Sequence, residues 1–176
     1  MNKGLVHVYT GDGKGKTTAA IGLGLRAWGR GKKVLLIQFL KSGSSGELMS
    51  IDKLDENFKY FRTKKVDGFF WNMNDEDKAL LKQSEQKALD YAIENAKSEQ
   101  WDLIILDEIM GSLKNNLVNI KEVEQLIKEK PKALELVLTG RDVPKEIFDL
   151  ANYVTEMKGL KHPYEEGINA REGIEF

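Results

Sequence analysis

Residues 10–18 read Thr10-Gly11-Asp12-Gly13-Lys14-Gly15-Lys16-Thr17-Thr18, three glycines alternating with polar side chains. The apolar run Leu5-Val6-His7-Val8-Tyr9 precedes them, and a stretch of helical periodicity opens at Thr17. In such a loop successive backbone N–H groups can turn inward around a phosphate. The N-terminus of the following helix adds partial positive charge, Lys16 adds a full charge, and the Thr17 hydroxyl can ligate Mg²⁺. Polyphosphate is the natural guest. The P-loop pattern G-x-x-x-x-G-K-[ST], counted back from Gly15, asks for glycine where this chain has Thr10, so the match is close but off-pattern. The bland alternative is a glycine-rich strand-to-helix turn with exposed lysines.

Further groups fall where strands are expected to end. Leu103-Ile104-Ile105-Leu106 runs into Asp107-Glu108, the Walker B pattern, in which a carboxylate binds Mg²⁺ directly or through water. Mg²⁺ keeps several waters and takes phosphate oxygens, so Thr17 with Asp107 or Glu108 would supply enough protein ligands. In Thr139-Gly140-Arg141 the arginine could grip phosphates bidentately or stand as a surface side chain in a loop. Lys41, after the second apolar run, carries the same two readings. Phe69-Phe70-Trp71 is either a satellite core under a loop or a platform for a flat ligand. The two histidines are His7, inside the first expected strand, and His162, in the tail, so no histidine triad or metal cluster is legible. A reaction whose nucleophile needs no deprotonation suits such a chain.

The elements that must position these groups alternate. Strands are expected at residues 5–9, 34–38, 58–61, 101–106, 134–139 and 153–157, and helices at 16–30, 74–98, 119–130 and 144–150. Asn74, followed by Asp75, Glu76 and Asp77, reads as an N-cap with acids in the first turn; Asn119 with Glu122 suggests a second cap. Residues 42–50, with Gly43, Gly46 and four serines, read as a flexible loop at a strand end, and the tail from 159 to 176 has no clear period. The alternation implies an α/β fold: a mostly parallel twisted sheet flanked by helices, in a P-loop nucleotide-binding, RecA-like architecture. At 176 residues one domain spanning 1–176 is expected.

Composition narrows the chemistry. Hydrophobic residues make up 41%, charged residues 31%, and the net charge is −1, which leaves no electrostatic case for nucleic acid as a partner. The absence of cysteine rules out disulfides, thiolate metal sites and a cysteine nucleophile. No run approaches the ~18 apolar residues of a membrane span, and the start lacks a signal-peptide core, so a cytoplasmic enzyme is the expectation.

Taken together, Thr10 to Ala20, Gln38-Phe39-Leu40-Lys41, Leu106-Asp107-Glu108, Thr139-Gly140-Arg141 and the ending from Lys161-His162-Pro163-Tyr164 to Gly173-Ile174-Glu175 resemble the ATP:corrinoid adenosyltransferases of the cobalamin pathway. The threonine at position 10 is characteristic of that family. The resemblance implies a homodimer that binds MgATP and a corrinoid reduced to Co(I), with cobalt attacking the ribose C5′ carbon and triphosphate leaving. It implies that Thr10, Gly11, Asp12, Gly13, Lys14, Gly15, Lys16, Thr17, Thr18, Lys41 and Arg141 hold the nucleotide. It further implies that Lys16, Thr17, Glu108 and Arg141 serve the reaction, that Thr17 with Asp107 or Glu108 holds Mg²⁺, and that a flavoprotein or other reductant supplies electrons. Gly68-Phe69-Phe70-Trp71 matches the family's aromatic pair beside the corrinoid, which carries Phe69 and Trp71 over as corrinoid contacts. Many members carry an N-terminal extension that covers the active site; here the first strand begins almost at once, a departure from the family's pattern that leaves the closure over the corrinoid open.

Read without the resemblance, a Walker pair does not say which bond of ATP breaks. A kinase or ATPase cleaving the β–γ bond, with Glu108 activating water or a hydroxyl, is the alternative. A nucleotide-gated binding protein without turnover is a third.

Overall fold

The computed structural model describes residues 3–41, 43, 45–63 and 73–175. Among the described residues six strands form one sheet in the order β3-β2-β4-β5-β1-β6, and every neighbouring pair is parallel. The strands are β1 (Val6–Thr10), β2 (Val34–Gln38), β3 (Phe58–Arg62), β4 (Leu103–Asp107), β5 (Glu135–Thr139) and β6 (Tyr153–Glu156). All six expected strands are present. In β2 and β4 every residue is buried, which is why those segments read as unbroken apolar runs: helices cover a parallel sheet on both faces. At the edge, β6 is exposed throughout.

The two faces have separate cores. One packs Leu35, Ile37, Ile104, Leu106, Leu136 and Leu138 against α3 (Asp75–Lys97) and α5 (Ile120–Glu129). The other sets Leu36, Ile105 and Val137 against Ala20 of α1 (Lys16–Trp28). Asn74 caps α3 as its sequence indicates, its side chain accepting from the Asp77 N–H at 2.8 Å, a contact worth about 1 kcal/mol. Asn119 caps α5 by accepting from the Lys121 N–H. Glu122 does not reach back to complete a capping box; it accepts from Gln86 of α3 instead.

Two short helices depart from the sequence expectation. The serine-rich loop contains α2 (Gly46–Ile51), and α4 (Ile109–Lys114) follows β4 directly. Each has six residues, under two turns, too few for a 3.6-residue period to stand out and too few to hold in water unaided. Tertiary burial makes them helices: Ile51 enters the α1-side core, while Ile109, Met110 and Leu113 enter the other. A third short helix, α6 (Lys145–Leu150), starts after Pro144 as expected.

Register decides where the site forms. Gln38 of β2 lies directly beside Asp107 of β4, and Thr139 of β5 beside Tyr9 of β1. The C-terminal ends of four adjacent strands therefore meet on one rim of the sheet, where open α/β sheets bind ligands.

Candidate active site

The loop between β1 and α1 has the backbone its glycines allow. Gly11 has φ 98° and Gly15 φ 114°, left-handed values that cost a side chain with a Cβ about 1–2 kcal/mol. Gly15 is the N-cap of α1 and offers no side chain to the helix's first amides. Those N–H groups thus point outward with the positive end of the helix dipole, the arrangement an anion needs.

A cavity of about 1040 Å³ opens over this loop, lined on the loop side by Asp12, Gly13, Lys14, Gly15, Lys16, Thr17 and Thr18. Lys41, Glu108 and Arg141 join the same wall, so the sequence-derived site residues converge there from four segments. Thr10 and Gly11 do not line it. They pack instead against the segment after β6: the Met157 N–H donates to the Thr10 carbonyl and the Gly13 N–H to the Met157 carbonyl, both at 2.8 Å. Phe69 and Trp71 lie outside the described residues.

Asp107 is fully buried beneath the cavity. Its Oδ1 accepts from Thr17 Oγ1 at 2.8 Å and from Thr139 Oγ1 at 2.7 Å. Its Oδ2 accepts from Gln38 Nε2 at 3.1 Å and faces Lys41 Nζ at 2.9 Å. The Walker threonine and the Walker carboxylate are therefore already joined, as they would be around a shared cation. Lys41 also lies 3.3 Å from Glu47 Oε1 on α2, and Gln38 donates to the same carboxylate at 3.1 Å. Arg62, at the end of β3, donates to the Gln38 side-chain oxygen and so holds that amide in its orientation.

Glu108 follows in a left-handed conformation, φ 65°, its N–H donating to Thr139 Oγ1 at 2.9 Å. Burial pushes its carboxyl above the usual range, and the neighbouring Asp107 charge adds to the effect. Lys16 folds back, donating to the Gly13 carbonyl at 2.7 Å. Burial holds its ammonium below the ordinary value, with Arg141 adding repulsion. Two crowded cations over open amides make a site that gains from an incoming polyanion.

The tail closes one side of this cavity, although its sequence has no period: His162, Gly173, Ile174 and Glu175 line it. Glu175 Oε1 lies 2.7 Å from Lys14 Nζ. Hydrogen bonds from Arg171 and Lys14 lower its carboxyl to about 2. Sequence reasoning missed Gln38, Glu47, Thr139 and Glu175 as site residues. Gln38, Thr139 and Glu175 carried a signal, since each stands in a stretch that bears the resemblance; Glu47 carried none, because it arrives from a loop without a motif.

Comparison with known proteins agrees with this geometry. The family model ATP:corrinoid adenosyltransferase BtuR/CobO/CobP matches residues 2–176. A corrinoid adenosyltransferase of Sinorhizobium sp is 36% identical over 176 residues, covering 99% of this chain and 81% of that protein. The corrinoid adenosyltransferase of Escherichia coli (strain K12) is 32% identical, covering 99% of this chain and 86% of that one. Among solved structures, the cytoplasmic domain of EssC superposes with a TM-score of 0.54 at 15% identity, over 96% of this chain and 34% of that chain. The chain thus spans about a third of EssC's domain, and that likeness is one of fold. With the phosphate loop, the buried Asp107 and a match extending from residue 2 to residue 176, the chain belongs to the ATP:corrinoid adenosyltransferase family.

Proposed function

We propose that the cavity over the phosphate loop grips the triphosphate of ATP as a leaving group while a corrinoid cobalt takes the nucleoside. The reaction is transfer of the 5′-deoxyadenosyl group from ATP to the cobalt of a reduced corrinoid. The electron pair of Co(I) forms the cobalt–carbon bond at C5′, and the electrons of the C5′–O bond leave with triphosphate. No proton is removed from the nucleophile, so the chain needs no general base. Its task is to orient the two substrates and to stabilise charge on the departing triphosphate. The observation that carries the reading is the family match over residues 2–176, falling on a chain whose Thr17 and Asp107 are 2.8 Å apart below an amide-lined cavity.

In this reading Asp12 to Thr18 and Arg141 hold the triphosphate, with Lys14, Lys16 and Lys41 neutralising it, while Gly11 supplies the left-handed turn of the loop. Thr10 acts through the backbone, tying the loop to the segment after β6. Mg²⁺ fits the donor set: Thr17 and Asp107 are hard oxygen ligands, and the Lys41 ammonium beside Asp107 is already a cation at that carboxylate. Bound there with Glu108 nearby, Mg²⁺ would supply charge stabilisation for the phosphate oxygens. Phe69 and Trp71 are proposed as corrinoid contacts on the resemblance alone. The same reading takes residues 1–176 as one domain acting as a cytoplasmic homodimer, with electrons for cobalt supplied by a flavoprotein or another reductant.

The test is to incubate the protein with MgATP and chemically reduced cobalamin, following the corrinoid spectrum and the nucleotide products together. Adenosylcobalamin and triphosphate in equal amounts are expected. ADP and phosphate with an unchanged corrinoid would overturn the proposal in favour of β–γ cleavage.

A further inference from the structure

Glu85 is a carboxyl side chain on α3 that is 2% exposed and lies outside the cavity already described. Burying a carboxyl group is costly unless it is hydrogen-bonded, and its partners show what its burial serves. Ser112 of α4 donates to Oε2 at 2.5 Å, and the backbone N–H of Leu40 lies 3.3 Å from both carboxyl oxygens. Burial raises the carboxyl's pKa, and those same two hydrogen bonds oppose the rise. Leu40 is not an ordinary loop residue: its φ is 54°, a left-handed conformation that a branched, non-glycine side chain adopts only when its surroundings compel it.

The left-handed turn at Leu40 comes two residues after β2 ends at Gln38. The preceding Phe39 N–H still donates to the Asp107 carbonyl at 2.9 Å, continuing the sheet. One residue after Leu40, Lys41 brings its ammonium to 2.9 Å from Asp107 Oδ2. The Leu40 side chain is held as well, packing with Met73, Leu81 and Leu117. Its Cδ1 would lie 2.7 Å from a Cβ placed on Gly111, where the Glu108 side chain is also a neighbour. The strained turn is thus fastened through its amide by Glu85 and through its side chain by an apolar cluster. What it delivers is the cation beside the buried carboxylate.

We propose that Glu85 is a positioning residue of the nucleotide site, its buried carboxyl clamping the left-handed turn at Leu40 and thereby setting Lys41 against Asp107. The proposal rests on the reading that Lys41 faces bound nucleotide. Glu85 touches neither substrate. It acts through Lys41, so its effect depends on Lys41 being present.

The test is a double-mutant cycle of Glu85→Ala and Lys41→Ala, with MgATP affinity measured by calorimetry and folding checked by circular dichroism. Glu85→Ala is expected to weaken MgATP binding about tenfold, the scale of one lost hydrogen bond to a charged group. The same substitution made in Lys41→Ala protein is expected to change affinity by less than about twofold, the signature of two residues acting as a unit. Glu85→Gln keeps an acceptor for the Leu40 N–H and is expected to restore affinity to within about twofold of the parent. An equal loss from Glu85→Ala in both backgrounds would overturn the clamp alone. Unchanged affinity in Lys41→Ala would overturn the placing of Lys41 at the nucleotide, and the clamp's role with it. Should Glu85→Ala fail to fold, amide hydrogen exchange of the unsubstituted protein serves: the Leu40 N–H is expected to be protected, and fast exchange there refutes the clamp.

Discussion

Asp107→Asn separates what the buried carboxylate does for the fold from what it does for the nucleotide. The carboxylate is fully buried and accepts from Thr17, Thr139 and Gln38 at 2.7–3.1 Å while facing Lys41 at 2.9 Å. Asparagine keeps the shape and one acceptor. Its oxygen can serve Gln38 and Lys41 if its amide turns toward the two threonines, whose hydroxyls can rotate to accept. Thr139 already accepts from the Glu108 N–H, so its own hydroxyl proton is then left without Asp107 as acceptor. Breaking a fully buried ion pair costs about 3–5 kcal/mol, but the Lys41 side chain is 29% exposed and keeps Glu47 at 3.3 Å. Water and Glu47 therefore compensate part of the loss, and about 1–3 kcal/mol of destabilisation is expected in the absence of nucleotide. For a chain of this size that is a fall of about 3–10 °C in Tm. The second effect is larger and depends on metal. If Asp107 holds Mg²⁺, the substitution removes the gain that Mg²⁺ gives to ATP binding, while binding of ATP in EDTA stays near the parent value. Thermal melts in EDTA and calorimetry with and without Mg²⁺ measure the two effects independently. A variant that keeps both its Tm and its full Mg²⁺-dependent gain in affinity would refute the assignment of Asp107 to either role.

Four further outcomes are expected. Lys16→Ala removes the charge beside the open amides and should abolish turnover with the melting curve little changed, since its folded contact is one bond to the Gly13 carbonyl; retained kcat would count against it. Gly13→Ala would place a Cβ 2.8 Å from the Met157 carbonyl oxygen, an overlap with rigid backbone costing about 1–3 kcal/mol. It should lower Tm and ATP affinity together, and loss of neither would show that the loop does not lean on the segment after β6. Glu175 is an exposed-side carboxyl lowered to about 2. A depressed folded pKa means that its contribution is fully present above the ordinary carboxylate pKa and is lost only as pH falls toward 2; an NMR titration of its carboxyl carbon midway near 4.5 would exclude the Lys14 and Arg171 contacts in solution. Trp71→Ala should spare transfer from pre-formed Co(I) far more than transfer that begins with Co(II), and equal losses in the two assays would remove Trp71 from its proposed role.

Much of the site was legible along the chain because its chemistry is local. A phosphate cradle needs consecutive backbone N–H groups followed by a helix, so Gly11 to Thr18 announces itself in one stretch. The central strands were legible for a related reason: a residue covered on both faces must be apolar, as in Val34 to Ile37. The cap at Asn74 also follows from neighbours along the chain. Helices α2 and α4 were hidden, being shorter than the period that would reveal them.

The sequence by itself determined the family, the phosphate loop, the carboxylate at the end of β4 and the order of the strands with helices α1, α3, α5 and α6. Only the tertiary structure decided what surrounds that carboxylate. Gln38 and Lys41 at the end of β2 and Thr139 at the end of β5 meet at the end of β4, brought together by a strand order that the chain order does not state. It also decided that Glu175 reaches Lys14 across 161 positions and that Glu85 of α3 fastens the turn before Lys41. A hydrogen bond between distant residues depends on where two elements come to rest, and that is set by the burial of their apolar faces, whose pattern records which side is covered and not by what.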